Sequence, residues 1–296
     1  MKNTPLITCA ILCYNYGHYL QEAIESCLGQ APGAYRLEVL VLDDGSTDNT
    51  PEVCARYEKR IRVSRTVNQG FDATLTRAVR EAEGDYVALL DADDLFRPGK
   101  LARIAREFAR GVLFVSHDMD VIDSDSAVTG AGRGGNTSTV AFARIPAQDL
   151  LPVGNEIDFH LLGHGGGGVH LAERLSAYRI HPRSMTDRSA SSVHARYFSR
   201  TKLAAAAKGR RLAAASPAWL REPAKLRRAC DYYDCLGHTE ELEARLNERN
   251  LLAAVAGVPL MLGACLRNRS WNDKCARMLG RLALRTLRAH FWKPVP

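Results

Sequence analysis

Near-continuous apolar runs alternate with segments of helical spacing from the N-terminus to about residue 120. Ile7–Cys13 is a near-continuous apolar run broken only by Thr8, and His18–Gln30 then sets Leu20, Ile24, Cys27 and Leu28 at helical intervals. A second apolar run, Glu38–Leu42, ends in Asp43-Asp44-Gly45-Ser46. Val53, Cys54 and Tyr57 follow on one helical face, with Ser46 or Thr47 as the expected cap. Ile61–Val67, Tyr86–Leu90 and Val112–Ser116 read as further strands, and Ala73–Ala82 and Pro98–Phe108 as helices. Strands that lack polar alternation are covered on both faces. The pattern therefore predicts an α/β fold, a mostly parallel Rossmann-like sheet between two helical layers. In such sheets ligands bind beyond the carboxyl ends of the strands.

From Asp118 to about Ser192 the texture loosens into a Gly-rich stretch (Gly130–Gly135) and short apolar pieces, Val140–Ala143 and Val169–Leu171. His164-Gly165-Gly166-Gly167-Gly168 reads either as a phosphate-cradling nest or as a turn before a strand. After Ser192 the chain is rich in Ala, Leu and Arg, a helical composition. The expected division is an α/β domain over 1–192 and a basic α-helical region over 193–296.

Charge follows the same division. The net charge of +7 hides 20 basic and 25 acidic residues up to position 195, against 20 basic and 8 acidic beyond it. An acidic body, with a basic C-terminal stripe whose Lys and Arg lack interleaved stacking aromatics, makes nucleic acid a poor candidate partner, and none is expected. The eight cysteines form no C-x-x-C pair, and Cys9, Cys13 and Cys27 fall in apolar runs, a usage that fits a reducing cytoplasm. The uncharged run Leu251–Leu266, interrupted at Gly257-Val258-Pro259, is shorter than the ~20 residues of a spanning helix and is expected to form a buried or membrane-dipping helical pair. At ~100° per residue, Lys274, Arg277, Arg281, Arg285 and Arg288 share one stripe between Trp271 and Trp292. That pattern fits peripheral contact with anionic lipid at the cytoplasmic membrane face, or a core-packed helix with a solvated basic edge.

The chemistry concentrates in two acidic strand ends. Asp91-Ala92-Asp93-Asp94 closes an apolar strand with carboxylates at i and i+2, a hard oxygen site suited to Mn²⁺ or Mg²⁺ with substrate phosphates and water completing the shell. Asp43-Asp44 ends a neighbouring strand and offers acceptors to a base or a ribose. No Walker A sequence is present, and the glycine runs that fit G-x-G-x-x-G, Gly130–Gly135 and Gly163–Gly168, do not join one of the strands to one of the helices of the first 120 residues, so a nucleotide would be held through metal and carboxylates. A haloacid-dehalogenase-like phosphatase also places D-x-D after a strand. Leu95 stands where that motif prefers Thr or Val, and the Asp43-Asp44 cluster has no role in it.

Together these residues resemble the family 2 glycosyltransferases of the GT-A fold. The resemblance rests on Ile7–Asn15, on Leu20-x-x-Ala23-Ile24-x-Ser26-x-Leu28-x-Gln30 and on Glu38–Asp48. It continues through Asn68-x-Gly70, Ala82-x-Gly84-Asp85-Tyr86 and Leu89–Asp94, and more weakly through Leu175-x-x-Tyr178-Arg179-Ile180-His181. It implies inverting transfer of a sugar from a nucleotide-diphosphate donor, a UDP-sugar foremost, to a polysaccharide or lipid-linked glycan acceptor. Carried over by position, Tyr14 and Asp44 would contact the nucleobase and Asn68 would join the donor site. Asp91 and Asp93 would hold ribose and metal, with Asp93 the direct ligand. His181 would reach the metal or the diphosphate, or else is a solvated loop histidine. Thr76 stands where the family often has Asn. The general base is expected in Glu156-Ile157-Asp158, with Asp158 first and Glu156 second. A degenerate relative kept as a binding or scaffold subunit is the non-enzymatic alternative.

Overall fold

The computed structural model describes residues 4–182, 184, 192–248, 250–268, 279 and 282. The basic stripe between Trp271 and Trp292 lies outside the described residues, apart from Leu279 and Leu282. The chain divides into two compact units, Met1–Pro182 with Pro217–Glu222, and Arg183–Ser216 with Pro223–Pro296.

The first unit opens as the apolar pattern requires. Strand β1 (Leu6–Cys13) leads to α1 (Gly17–Leu28), β2 (Arg36–Asp43), α2 (Thr50–Ala55), β3 (Arg62–Arg65), α3 (Phe71–Glu81) and β4 (Tyr86–Asp91). These four strands are mutually parallel, with Cys13 opposite Asp43 and Leu12 opposite Asp91, so the Tyr14, Asp44 and Asp91 strand ends lie side by side. Their buried faces, including Ile7, Cys9, Ile11, Val39, Val41 and Leu90, form the main apolar core with α1 and the next helix. Next come the short β5 (Leu95–Phe96), α4 (Lys100–Ala109) and β6 (Phe114–Ile122).

The loosely textured segment folds as regular structure. It contributes β7 (Val128–Gly132), β8 (Val140–Ala143), α5 (Arg144–Ala147), α6 (Ile157–Leu162) and β9 (Gly168–Arg179). The sheet runs β3-β2-β1-β4-β8-β6-β9-β5, with β7 paired to β6. β8 lies antiparallel to both β4 and β6, so the sheet is mixed beyond β4. The first half of β9 is largely exposed, and the sequence showed of this strand only the apolar piece Val169–Leu171 after the glycine run.

The glycine run is a packed π-turn, Gly163–Gly167, entering β9. A Cβ on Gly166 would stand 2.4 Å from Leu113 and 3.0 Å from Trp219, and one on Gly163 would stand 2.9 Å from Phe114. Arg221 and Glu222 both donate backbone N–H groups to the Gly165 carbonyl. The glycines admit close packing, and the Gly165 carbonyl is already committed to protein.

The second unit is helical: α7 (Ser192–Ala215), α8 (Pro223–Asn247) and α9 (Leu251–Asn268). Its core joins Cys235, Leu242 and Leu246 to Ala254, Met261, Ala264 and Cys265. The expected helical pair over 251–266 is instead one helix that runs through Pro259. Proline removes one N–H from the ladder, and the carbonyl it orphans belongs to the half-exposed Val255, within reach of solvent. Among the described residues no helix is long and apolar enough to cross a membrane.

Candidate active site

Two loops carry the strand ends of β1 and β2, and each fixes the other. Asn15 adopts a positive φ of 59°. Its N–H donates to Ser46 Oγ at 2.9 Å, and its side-chain oxygen accepts from the Thr47 N–H at 2.8 Å. Ser46 is therefore a cross-loop acceptor rather than the helix cap expected of it. The N-terminal turn of α2 is held by Asp48, whose carboxylate accepts from the Thr50 N–H at 3.0 Å and the Gly17 N–H at 2.8 Å. Gly45 has φ +78°, and a Cβ there would meet the Asn68 backbone nitrogen at 2.7 Å, so this turn needs glycine on both counts.

The adjacent acids have separate uses. Asp43 is buried; it accepts from the Ser46 N–H at 2.8 Å and pairs with Arg65 at 3.2 Å. Asp44 accepts from the Gln69 and Gly70 N–H groups at 2.9 and 2.8 Å, tying the Asn68–Gly70 loop to the end of β2. Each Asp44 oxygen keeps a further lone pair. Tyr14 is 46% exposed and Asn68 is exposed at the same sheet end.

The third acidic group turns sharply, with the Asp94 N–H donating to the Asp91 carbonyl. The Asp91 N–H donates to Ser138 Oγ at 3.0 Å. Burial first, then the neighbouring Asp94, Asp93 and Glu156 charges, raise the Asp91 carboxyl well above the usual range. Asp94 is fully buried; one oxygen accepts from the Arg179 N–H at 2.8 Å, and burial and Asp93 raise its carboxyl too. Asp93 reaches outward, and its Oδ2 lies 3.0 Å from His181 Nε2. His181 is boxed by the rings of Tyr16 and Tyr19, with centroids 5.6 and 5.4 Å away.

Beneath this turn lies Arg179, which the sequence showed only as part of a weak motif. Its side chain is wholly buried and stacks on Tyr19 at 4.3 Å. Nε donates to the Asp93 carbonyl at 2.7 Å, and Nη1 and Nη2 reach Ser126 Oγ and Glu22 at 2.9 and 3.0 Å.

The two base candidates separate. Asp158 is 3% exposed, and its Oδ2 accepts from the Gly154 N–H at 2.8 Å, closing the loop that enters α6. Glu156 is only half-buried, and its charge is among those that raise Asp91. Thr76 Oγ1 accepts from the Val153 N–H at 2.9 Å, anchoring this segment to α3.

Among the described residues no three His, Cys, Asp or Glu side chains converge as a closed metal cage. The donor set instead pairs one carboxylate and one imidazole, Asp93 and His181. One carboxylate beside one imidazole is a mixed oxygen–nitrogen pair that could hold a divalent ion such as Mn²⁺, with phosphate oxygens and water as its remaining ligands.

Residues 8–158 match the family model described as glycosyl transferase family 2. The chain is 36% identical over 211 residues to an uncharacterised glycosyltransferase of Nostoc sp., a match covering 59% of this chain and 65% of that protein. In fold it is similar to Staphylococcus aureus TarS 1-349 solved with UDP-GlcNAc, at TM-score 0.62 and 17% identity over 87% of this chain and 79% of that one. It is also similar to a Pyrobaculum calidifontis mannosyltransferase solved with GDP-Man and Mn²⁺, at TM-score 0.55 and 19% identity over 96% and 87%. These structural likenesses bear on the fold.

Proposed function

The chain belongs to glycosyl transferase family 2, and from that premise we propose that it moves a sugar from a nucleotide-diphosphate donor, a UDP-sugar foremost, to a hydroxyl of a polysaccharide or lipid-linked glycan, with inversion at the anomeric carbon. The observation that carries this reading is the convergence of the Asp93–His181 pair with Asp91, the latter within the electrostatic reach of Glu156. The TarS and mannosyltransferase complexes, which hold nucleotide sugars on the same fold, support it.

In this reading Tyr14 stacks on the nucleobase. Asp44 and Asn68 line its edge, with Asp44 using the lone pairs left over from Gln69 and Gly70. Asp91 faces the ribose. Asp93 and His181 would hold Mn²⁺ or Mg²⁺, which when bound offsets the charge gathering on the departing diphosphate.

We assign the base to Glu156 and the loop-closing role to Asp158, reversing the order expected from the sequence. Asp158 is buried and committed to Gly154, whereas Glu156 keeps access to solvent and lies near Asp91. Glu156 takes the proton of the acceptor hydroxyl, and the freed oxygen pair forms the new bond to the anomeric carbon. The bond from that carbon to the diphosphate breaks on the opposite face, and its electrons leave on the diphosphate oxygen. The free cysteines support a cytoplasmic setting for this reaction.

A thermal-shift screen of UDP-, GDP- and dTDP-sugars with and without Mn²⁺ tests the reading. One nucleotide should raise Tm in a metal-dependent way, and Asp93→Asn should abolish that rise with the fold intact. No response to any donor defeats the proposal. Nucleotide binding with no turnover on any acceptor favours the scaffold alternative.

A further inference from the structure

We propose that α9 docks this protein on the surface of an anionic phospholipid bilayer. One side of the helix is spent on the core of its own unit, where Ala254, Met261, Ala264 and Cys265 pack against α8. The other side is apolar and open. Leu252, Leu260 and Leu266 are 87%, 58% and 77% exposed, with Val255 and Pro259 exposed between them. At 3.6 residues per turn these five positions fall within an arc of roughly 140°, opposite the packed positions. An exposed stripe of this kind is what an interfacial helix buries at the boundary between headgroups and acyl chains.

Charge identifies the occupant. Residues 251–266 hold no ionisable group except the buried Cys265, and beyond them the chain carries eight Lys or Arg against one Asp. Four of the five acids of α8, with Glu248 just beyond it, are already paired within the unit. Arg210 holds Asp231 and Asp234, Lys202 holds Glu240, and Arg196 holds Glu241 and Glu248. A second copy seated on the stripe would bring the same positive excess against its own kind. An anionic lipid surface brings the opposite sign and an apolar layer together. None of these five residues is among those assigned to the donor site, so this inference does not rest on the proposed transfer.

Co-sedimentation of the full chain with vesicles of phosphatidylcholine, alone or mixed with phosphatidylglycerol, tests the docking. The wild type should pellet with the mixed vesicles only, and less so at high salt. The triple variant Leu252→Glu, Leu260→Glu, Leu266→Glu should lose at least about tenfold in affinity while its helix content stays unchanged. Leu252→Glu alone, at the most exposed position, should weaken binding in the same direction if the triple variant folds poorly. Failure of the wild type to bind mixed vesicles, or undiminished binding by both variants, overturns the proposal. A wild-type dimer in light scattering that Leu252→Glu dissolves overturns it in favour of self-association.

Discussion

The Asp93 backbone is held by Arg179: Nε of the buried guanidinium donates to the Asp93 carbonyl at 2.7 Å, two residues before His181 closes on the Asp93 carboxylate. One strand end thus supplies both the anchor and the partner of the outward-facing acid. Arg179 N–H also holds Asp94, and its guanidinium ties the turn to α1 through Glu22 and to the 123–126 loop through three further acceptors.

This geometry predicts that Arg179→Lys costs stability and donor binding together. An ammonium group offers three donors from a point and does not span acceptors on three segments. The Asp93, Asp123 and Ser124 carbonyls and the Glu22 carboxylate would lose donors, at a cost of about 1–3 kcal/mol. Urea denaturation measures the first effect. The Mn²⁺-dependent thermal shift with nucleotide, read at a temperature where the variant is folded, measures the second and should be reduced or absent. A variant with wild-type stability would show that the acceptors find other partners.

Glu156 and Asp158 predict a split of a different kind. If Glu156 is the base, Glu156→Gln should lower kcat by roughly 10²–10⁴, with a smaller change in Tm than Asp158→Asn because its side chain is the less buried of the two. Asp158→Asn should lower stability by about 1–3 kcal/mol, since the buried Oδ2 accepts a charge-assisted bond from Gly154. Steady-state kinetics beside thermal unfolding separates the two. Full activity in Glu156→Gln with inactive but folded Asp158→Asn would return the base to Asp158.

How far these roles were legible in the sequence depends on whether their cause is local. Asp44, Asp91 and Asp93 could be found because an acid ending an apolar strand is a short-range pattern, and the parallel register sets those ends side by side. Ser46 was misread because its partner, the Asn15 N–H, lies 31 residues away and outcompetes a cap. The reversed order proposed for Glu156 and Asp158 rests on which side chain is the more buried, and spacing along one short helix entry does not give that. Arg179 and Lys100 are missed for a shared reason: long cationic side chains are usually solvated, so nothing in composition points to one with no exposed surface.

Lys100 gives the last prediction, on pH. Its Nζ is fully buried over the Phe96 ring at 3.5 Å, and it donates to the Ser138 carbonyl at 2.8 Å and Ser176 Oγ at 3.0 Å. Ser138 in turn holds the Asp91 N–H. Burial lowers the amine from its ordinary 10.5 to about 7 in the folded chain. Below about pH 7 the lysine is charged in both states, and the folded state bears the full cost of burying that charge. As pH rises above about 7 the folded state sheds its proton first and the cost is relieved, until the unfolded chain also deprotonates near 10.5. This contribution to stability therefore increases from about pH 7 towards 10. Buried thiols act the other way: Cys13 is pushed up to about 12 and Cys54 to about 11, so their contribution falls once the unfolded thiols ionise above about 9. The measurement is thus a difference, with urea midpoints of the wild type and Lys100→Met compared at pH 6.5 and 9. The wild type should gain on the variant across that interval. A difference that stays constant with pH would place the Lys100 amine outside that range in the folded chain and remove the buried charge from the account of the Asp91 support.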